Sequence, residues 1–313
     1  GRNRTGTVSD PVNMPTALER SGDFSQTALN GVPVVVWDPT TGLPFAGNRI
    51  PATRINAASA TLLQYFPMPN LPFAARNYQT SWSGSNKSHG FNARLSNIRI
   101  KTKDRLNWNM SYQGSDNSSP NLYRFIDTGA GRGINTGLQW SKNISTKLIN
   151  NAGVNFSRQR QEQLPFFGNV VDIAGQLGIE GTSRNPSNWG PPNLSFTNYS
   201  GLRDGNFSLN RNQALAITES LLWIRGSHNL NFGASLRKQQ SNALSDSNGR
   251  GSYSFNGAAT SAYLNGAAQR GTGWDLADFL LGTPTTSSIR YGNPDKYFRG
   301  QTLDLFINDD WRI

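Results

Sequence analysis

The residues that could do chemistry are few and badly placed for it. There are two histidines, His89 and His228, and no cysteine. A metal site needs several ligands at short spacing, and neither histidine has such a partner in the chain around it. His228 is expected in a short polar turn and His89 at the start of a strand. Asp275 and Asp278 in "WDLADF" form one acidic pair and Asp309–Asp310 another. The first reads as a helix-start signal and the second as a wall or rim feature, and neither is flanked by an acid–base partner. "GAGRGINTG" (129–137) has the look of a phosphate loop. It lacks the preceding apolar strand and following helix that would aim amides at a phosphate. It reads as a flexible loop entering a strand. No G-x-S-x-G elbow occurs. The expectation is therefore no catalytic residue, no metal ligand and no cofactor, and a protein that is not an enzyme. Sequons such as Asn143-Ile-Ser follow from the abundance of Asn and Ser and need no glycan.

The hydrophobic fraction of 35% and the 32 glycines exclude a helical membrane protein, and the 11% aromatic content with 8 Trp excludes a disordered one. No window reaches the roughly 18–20 apolar residues of a membrane helix. The opening "GRNRTGTVSD" has no apolar stretch and does not read as a signal peptide. A net charge of +11 raises nucleic-acid binding, but the basic residues are spread singly, with "RIKTKDR" (99–105) the densest group. A solvated surface with scattered Arg is the better account, so no nucleic-acid partner is expected.

The elements that would position any site are strands. Leu106, Trp108, Met110 and Tyr112 alternate with Asn107, Asn109, Ser111 and Gln113. Period two marks one apolar and one polar face. The same alternation covers Ile134, Thr136, Leu138 and Trp140, then Ala152, Val154 and Phe156, then Leu230, Phe232, Ala234 and Leu236. Phe91, Ala93 and Leu95 keep one parity and Ile98 and Ile100 the other, which predicts a bulge near Ser96–Asn97. Leu215, Ile217, Leu221 and Trp223 share a parity with Glu219 among them. That acid requires a bulge, a position near the rim, or a different register. "KTKD" (101–104), "KNIST" (142–146) and "RGSHN" (225–229) read as hairpin turns. The connections at 117–130, 160–210 and 243–298 are far longer.

Runs of this length can cross a bilayer as tilted strands, which takes about 9–11 residues. Their polar face is Asn, Ser, Gly and Gln, which suits an aqueous or plugged lumen. A soluble sandwich would have to cover the apolar face with a second sheet, whereas lipid covers it in a barrel. Trp108 follows its short turn closely, and Trp140 and Trp223 precede theirs, as an interfacial aromatic girdle requires. Between the runs, 32–45 reads as a small hairpin around Pro39–Gly42, 55–70 as a helix capped by Asn56 and stopped by Pro67, and 170–179 as a further helical turn or two.

Six segments carry a resemblance: "MPTALERSGDFSQT" (14–27), "WDPTTGLPFAGNRIPATRI" (37–55), "YFPMPNL" (65–71), "NWGPPNLSFTN" (188–198), "LADFLLGTP" (276–284) and "LFINDDWRI" (305–313). In that order they resemble TonB-dependent outer-membrane receptors of the Oar-like subgroup. The resemblance implies an up-and-down transmembrane β-barrel in the outer membrane of a Gram-negative bacterium, with short periplasmic turns and long extracellular loops. It also implies a plug domain and a TonB partner. The chain then reads as a barrel fragment without its plug: 1–12 the end of a strand, 13–87 a long extracellular loop, 88–116 a hairpin, 117–130 a loop, 130–160 a hairpin, 160–210 a long loop, 211–242 a hairpin, 243–298 a long loop, and 299–313 a strand. Trp311 becomes a fourth girdle tryptophan beside Trp108, Trp140 and Trp223.

The function so implied is transport of an unidentified substrate, with outer-membrane lipid, the TonB complex and an unknown extracellular ligand as partners. Substrate contacts are expected among aromatic and Arg residues of 160–210 and 243–298, without further choice. The competing reading is a secreted or surface β-sandwich adhesin or glycan-binding protein, whose aromatics would be core and binding platform.

Overall fold

The structure is a computed structural model and describes residues 1–269 and 271–312. Its frame is one antiparallel sheet of eight strands. In chain order these are β1 (Arg2–Val8), β2 (Ser81–Arg99), β3 (Asp104–Pro120), β4 (Ile126–Ser145), β5 (Leu148–Leu164), β6 (Ser208–Arg225), β7 (His228–Ser245) and β8 (Lys296–Trp311). Each pairs with its neighbours in sequence, so the topology is up-and-down, and the sheet stays open with β1 and β8 at its edges. No helix among the described residues is long and apolar enough to cross a membrane.

The short connections are as tight as the alternation implies. Between β6 and β7 only Gly226 and Ser227 intervene, and Gly226 takes φ 62°. A left-handed first turn residue fits the type II′ hairpin, whose twist matches that of the strands. The predicted bulge lies between Leu95 and Ile98, where the register with β3 shifts from Leu95–Trp108 to Ile98–Leu106. It returns Ile98 to the apolar face. Asn97 takes φ 56°, and its N–H donates to Asn107 Oδ1 at 2.9 Å.

Several boundaries differ from expectation. The seven long strands have 16 to 20 residues, well beyond the apolar runs. Residues 117–130 are not a loop, because β3 and β4 continue to pair from Ser118–Thr128 to Pro120–Ile126, leaving Asn121–Phe125 as the turn. "GAGRGINTG" is likewise strand, inside β4. His89 lies mid-strand in β2 rather than at its start. The physical reason is common to all three. A ladder is held by backbone hydrogen bonds, and outside lipid nothing forces its side chains to alternate. The strand predicted for 299–313 begins at Lys296, and Ile313 lies outside the described residues.

The hydrophobic core is not in the sheet. Every residue of the buried cluster, from Met14 and Phe24 through Phe66, Phe125, Phe167 and Leu194 to Trp274 and Phe279, comes from the connections between the long strands. Those connections pack together into one cap at a single end of the sheet. Four short helices contribute to it: α1 (Ala17–Arg20), α2 (Ala57–Leu63), α3 (Ile173–Gln176) and α4 (Asp275–Leu281). Asn56 caps α2 as predicted, accepting from Ala58 and Ser59 N–H. The segments 193–196, 252–255 and 286–288 form a small three-stranded sheet shared by two connections.

Polar side chains staple the cap. The Arg20 guanidinium donates to the carbonyls of Pro15, Leu63, Phe66 and Pro67 at 2.6–3.1 Å, closing the end of α2. Trp274 Nε1 donates to Tyr199 Oη at 2.9 Å, and Tyr199 donates to Glu19 Oε1 at 2.6 Å, joining three connections in one relay. Asp275 and Asp278 do begin a helix, but Trp274 is its N-cap. Their carboxylates bind other turns instead. Asp275 accepts from Asn198 N–H at 2.5 Å, and Asp278 from Thr260 N–H at 2.9 Å and Thr260 Oγ1 at 2.7 Å.

Burial pushes Asp278 up to about 6 despite the hydrogen bonds from Thr260, and burial also raises Asp204. Asp38 is held down at about 2, first by hydrogen bonds from Arg54. A raised carboxyl binds its proton more tightly in the folded state. Its stabilisation is complete below the ordinary carboxylate range of about 4 and is lost as pH rises through its folded value. The Asp38 contribution is lost only as pH falls through about 2. The cap is therefore expected to unfold at a higher temperature at pH 5 than at pH 7.5, read from Trp fluorescence of the full-length protein in detergent. Asp278→Asn should flatten that dependence, and an unchanged slope would remove Asp278 as its source.

Candidate functional site

Residues opposite one another in an antiparallel ladder project to the same side. One row runs Leu95–Trp108–Leu138–Val154–Ile217–Leu236–Leu303 across β2 to β8. The next row toward the short turns runs Ile98–Leu106–Trp140–Ala152–Glu219–Ala234–Leu305. This face is bare. On central strands Leu138 is 42% exposed and Ile217 45% exposed, and no second layer of described residues covers them. A sandwich would have buried this surface.

The band is slanted. Phe91, Tyr112 and Ile134 stand in one row at its upper end, but that row continues into Arg158, Gln213, Gln240 and Arg299. On β7 and β8 the apolar run starts two rows lower, at Leu236 and Leu303. With strands ~4.8 Å apart and ~3.4 Å per residue, the slant corresponds to strands tilted by roughly 25–40°, near the range of membrane barrels.

Trp223 and Trp311 are the last apolar residues of this face before the short-turn end of their strands, and Trp140 is followed there only by Ile144 at the bulge of β4. Lys142 lies over the Trp140 ring at 5.8 Å and Arg225 over Trp223 at 5.2 Å. Trp311 stacks on His228, whose Nδ1 is 2.7 Å from Asp309 Oδ2. Trp108 sits one row further in, and its Nε1 donates to Thr136 Oγ1 at 3.1 Å. The structure thus sets three of the four predicted girdle residues at one edge and Trp108 inside the band. Glu219 needs no bulge, since β6 keeps an unbroken register from Ser208 to Arg225. It stands among the apolar residues between Ala152 and Ala234, whose small side chains leave room for it.

The other face is mainly amide, hydroxyl and glycine, with Arg94, Arg105, Arg237, Asp304 and Asp310 set singly along it. On β3 it carries Asn107, Asn109, Ser111, Gln113, Ser115 and Asn117, and on β5 Asn151, Asn155, Ser157, Gln159, Gln161 and Gln163. Between them β4 presents Gly129, Gly131 and Gly133, so its backbone forms a floor. Two adjoining open hollows of about 470 and 260 Å³ lie along this floor, walled by Gln113, Ser115, Gln159 and Gln161. A side chain at Gly129 would put its Cβ 2.0 Å from Asn117 Oδ1, and one at Gly131 would put it 2.6 Å from Ser115 Oγ. The glycines are what let the neighbouring amides lean over the strand. Such a surface offers donors and acceptors without net charge. It suits a hydrated polar solute or a polypeptide that exposes backbone amides. The sequence showed these glycines but read them as a flexible loop entering a strand, and only the ladder places them on one face.

Among the described residues no cluster of three or more His, Asp or Glu side chains could hold a metal ion. Of the Arg residues in the expected substrate-contact regions, Arg250 is buried and Arg270 lies outside the described residues.

Comparison with known proteins gives one finding. The family described as outer membrane beta barrel domain matches residues 1–313, the whole chain. No curated protein and no solved structure matches it. A bare, tilted apolar band backed by an amide face, on up-and-down strands long enough to cross a bilayer, is what that family requires, and the chain belongs to the outer membrane beta barrel domain family and resides in the cell outer membrane.

Proposed function

We propose that the chain is the barrel portion of a TonB-dependent receptor of the Oar-like subgroup. It moves an unidentified substrate across the outer membrane and catalyses no reaction itself. The observation that carries this reading is the glycine-floored, amide-walled hollow on the face turned away from lipid. A barrel that only anchored the cap would have no use for bare backbone there. Supporting it, the segments that resemble the receptor family, at 14–27, 37–55, 65–71, 188–198 and 276–284, include the cap-core residues Met14, Phe24, Phe45, Ile50, Phe66, Leu194, Leu276 and Phe279. In this reading the cap selects an extracellular ligand, and a plug carrying a TonB box gates the lumen.

The test uses the full-length protein in outer-membrane vesicles, probed with the purified periplasmic domain of TonB. Capture of the receptor by TonB, abolished when the TonB box is replaced, is the expected result. A full-length protein that TonB does not capture would leave a barrel with some other task.

A further inference from the structure

Three arginines occupy one cross-strand row. Arg132 on β4 stands opposite Arg160 on β5, which stands opposite Arg211 on β6. Adjacent strands are ~4.8 Å apart, and like charges directly opposite destabilise a sheet. By the parity of the ladder these residues share the side of Leu138, Val154 and Ile217, the lipid side. Arg158, Lys238 and Arg299 project to the same side. On each strand the cations lie just past the cap-side end of the apolar run: Arg132 beyond Ile134, Arg158 beyond Phe156, Arg211 two rows beyond Leu215, Lys238 beyond Leu236 and Arg299 two rows beyond Leu303. The basic belt therefore occupies three successive rows along the cap-side edge of the apolar band, Arg132, Arg160 and Arg211 in the first, Arg158 and Arg299 in the second and Lys238 in the third.

Protein carboxylates answer only part of this charge. Arg132 pairs with Asp116 at 2.7 Å and Arg160 with Glu162 at 2.6 Å, while Arg158, Arg211 and Lys238 have no carboxylate at ion-pair distance among the described residues. The opposite edge of the band is different. There Lys142 faces Asp104 across the ladder and His228 meets Asp309.

We propose that this belt is a binding site for phosphate groups on headgroups of the lipid leaflet at the cap-side edge of the band. Guanidinium forks match phosphate oxygens in bidentate geometry. The continuity of the belt with the lipid-covered band names the lipid surface as the source of those phosphates. Bound phosphate also removes the repulsion that the arginine row would otherwise impose on the ladder. The inference rests on the membrane location alone and stands whether or not the barrel transports anything.

The experiment takes the full-length protein in detergent with mixed micelles of phosphatidylcholine, with or without phosphatidic acid, and with inorganic phosphate alone as a third arm. Bound lipid is counted by native mass spectrometry. Phosphatidic acid should be retained over phosphatidylcholine. The triple change R132Q/R160Q/R211Q should weaken that binding by roughly 100-fold, at about one surface charge's worth per residue. The triple lysine variant, which keeps the charge and loses the fork, should bind more tightly than the glutamine variant and less tightly than the parent. Equal retention of phosphatidylcholine, or undiminished phosphatidic acid on the glutamine variant, overturns the proposal. Inorganic phosphate binding as tightly as the lipid overturns the lipid as its source. If the glutamine variant does not fold, the wild type still decides: its phosphatidic acid binding must fall steeply with salt, and salt-independent binding overturns the site.

Discussion

Arg250→Ala will cost the cap about 3–5 kcal/mol, the loss expected when one partner of a buried ion pair is removed. Arg250 is 4% exposed. Its Nη1 lies 3.0 Å from Asp204 Oδ2, and its Nη2 donates to the Gly205 carbonyl at 2.5 Å and to the Asp204 carbonyl at 3.3 Å. Truncation would strand a buried carboxylate that is already raised by burial and by the nearby Asp127 carboxyl, and would remove the Arg250 charge, the largest of the influences pulling it down, ahead of the backbone N–H groups of Gly205 and Phe167. It would also orphan carbonyls in the connection between β5 and β6. The measurement is thermal or urea unfolding of the full-length protein, followed by Trp fluorescence and by protease nicking of 165–207. The double change Arg250→Met with Asp204→Leu should recover much of the loss, because apolar residues of similar volume often replace a buried pair at little cost. A single variant as stable as the parent would mean that the pair holds nothing together.

That pair also shows why the cap was hard to read from sequence. Its staples are long-range: Arg250 to Asp204, Tyr199 to Glu19, and Ser59 Oγ to the Phe279 carbonyl at 2.5 Å. Each connection supplies a few apolar residues set among turn formers, so no window of sequence carries a period. Local signals survived where they were self-sufficient, as in the Asn56 cap of α2 and the hairpin of Trp37–Asp38 with Leu43–Pro44. The barrel strands were legible for the opposite reason. Lipid on one side and water on the other impose period two on Leu106–Gln113 directly. Beyond the lipid that constraint ends. Gly129–Gly133 and Arg160–Gln163 therefore looked like loop while their backbones stayed in the ladder. Glu219 shows that one misfit side chain does not break a register held by pairs on both sides. The arginine row was invisible because its members are 28 and 51 positions apart in the chain and meet only through strand pairing.

The sharpest consequence of the two-faced sheet is a contrast between neighbours on β6. Ile217 stands between Val154 and Leu236 on the bare face, and Thr218 between Gly153 and Ser235 on the amide face. Ile217→Arg puts a guanidinium among lipid chains near the middle of the apolar band, at about 2–4 kcal/mol in a membrane barrel. Thr218→Arg turns the same charge toward a hydrated interior. Gly153 gives it space there, since a Cβ at Gly153 would lie 2.7 Å from Thr218 Oγ1. The full-length variants, refolded into phosphatidylcholine vesicles and titrated with urea, should therefore differ by most of that cost, with Thr218→Arg close to the parent. Both residues share local backbone, strand and depth, so helix or strand propensity cannot produce the difference. Only the side to which each residue points can do so. Equal losses at the two positions would mean that this sheet does not divide lipid from water.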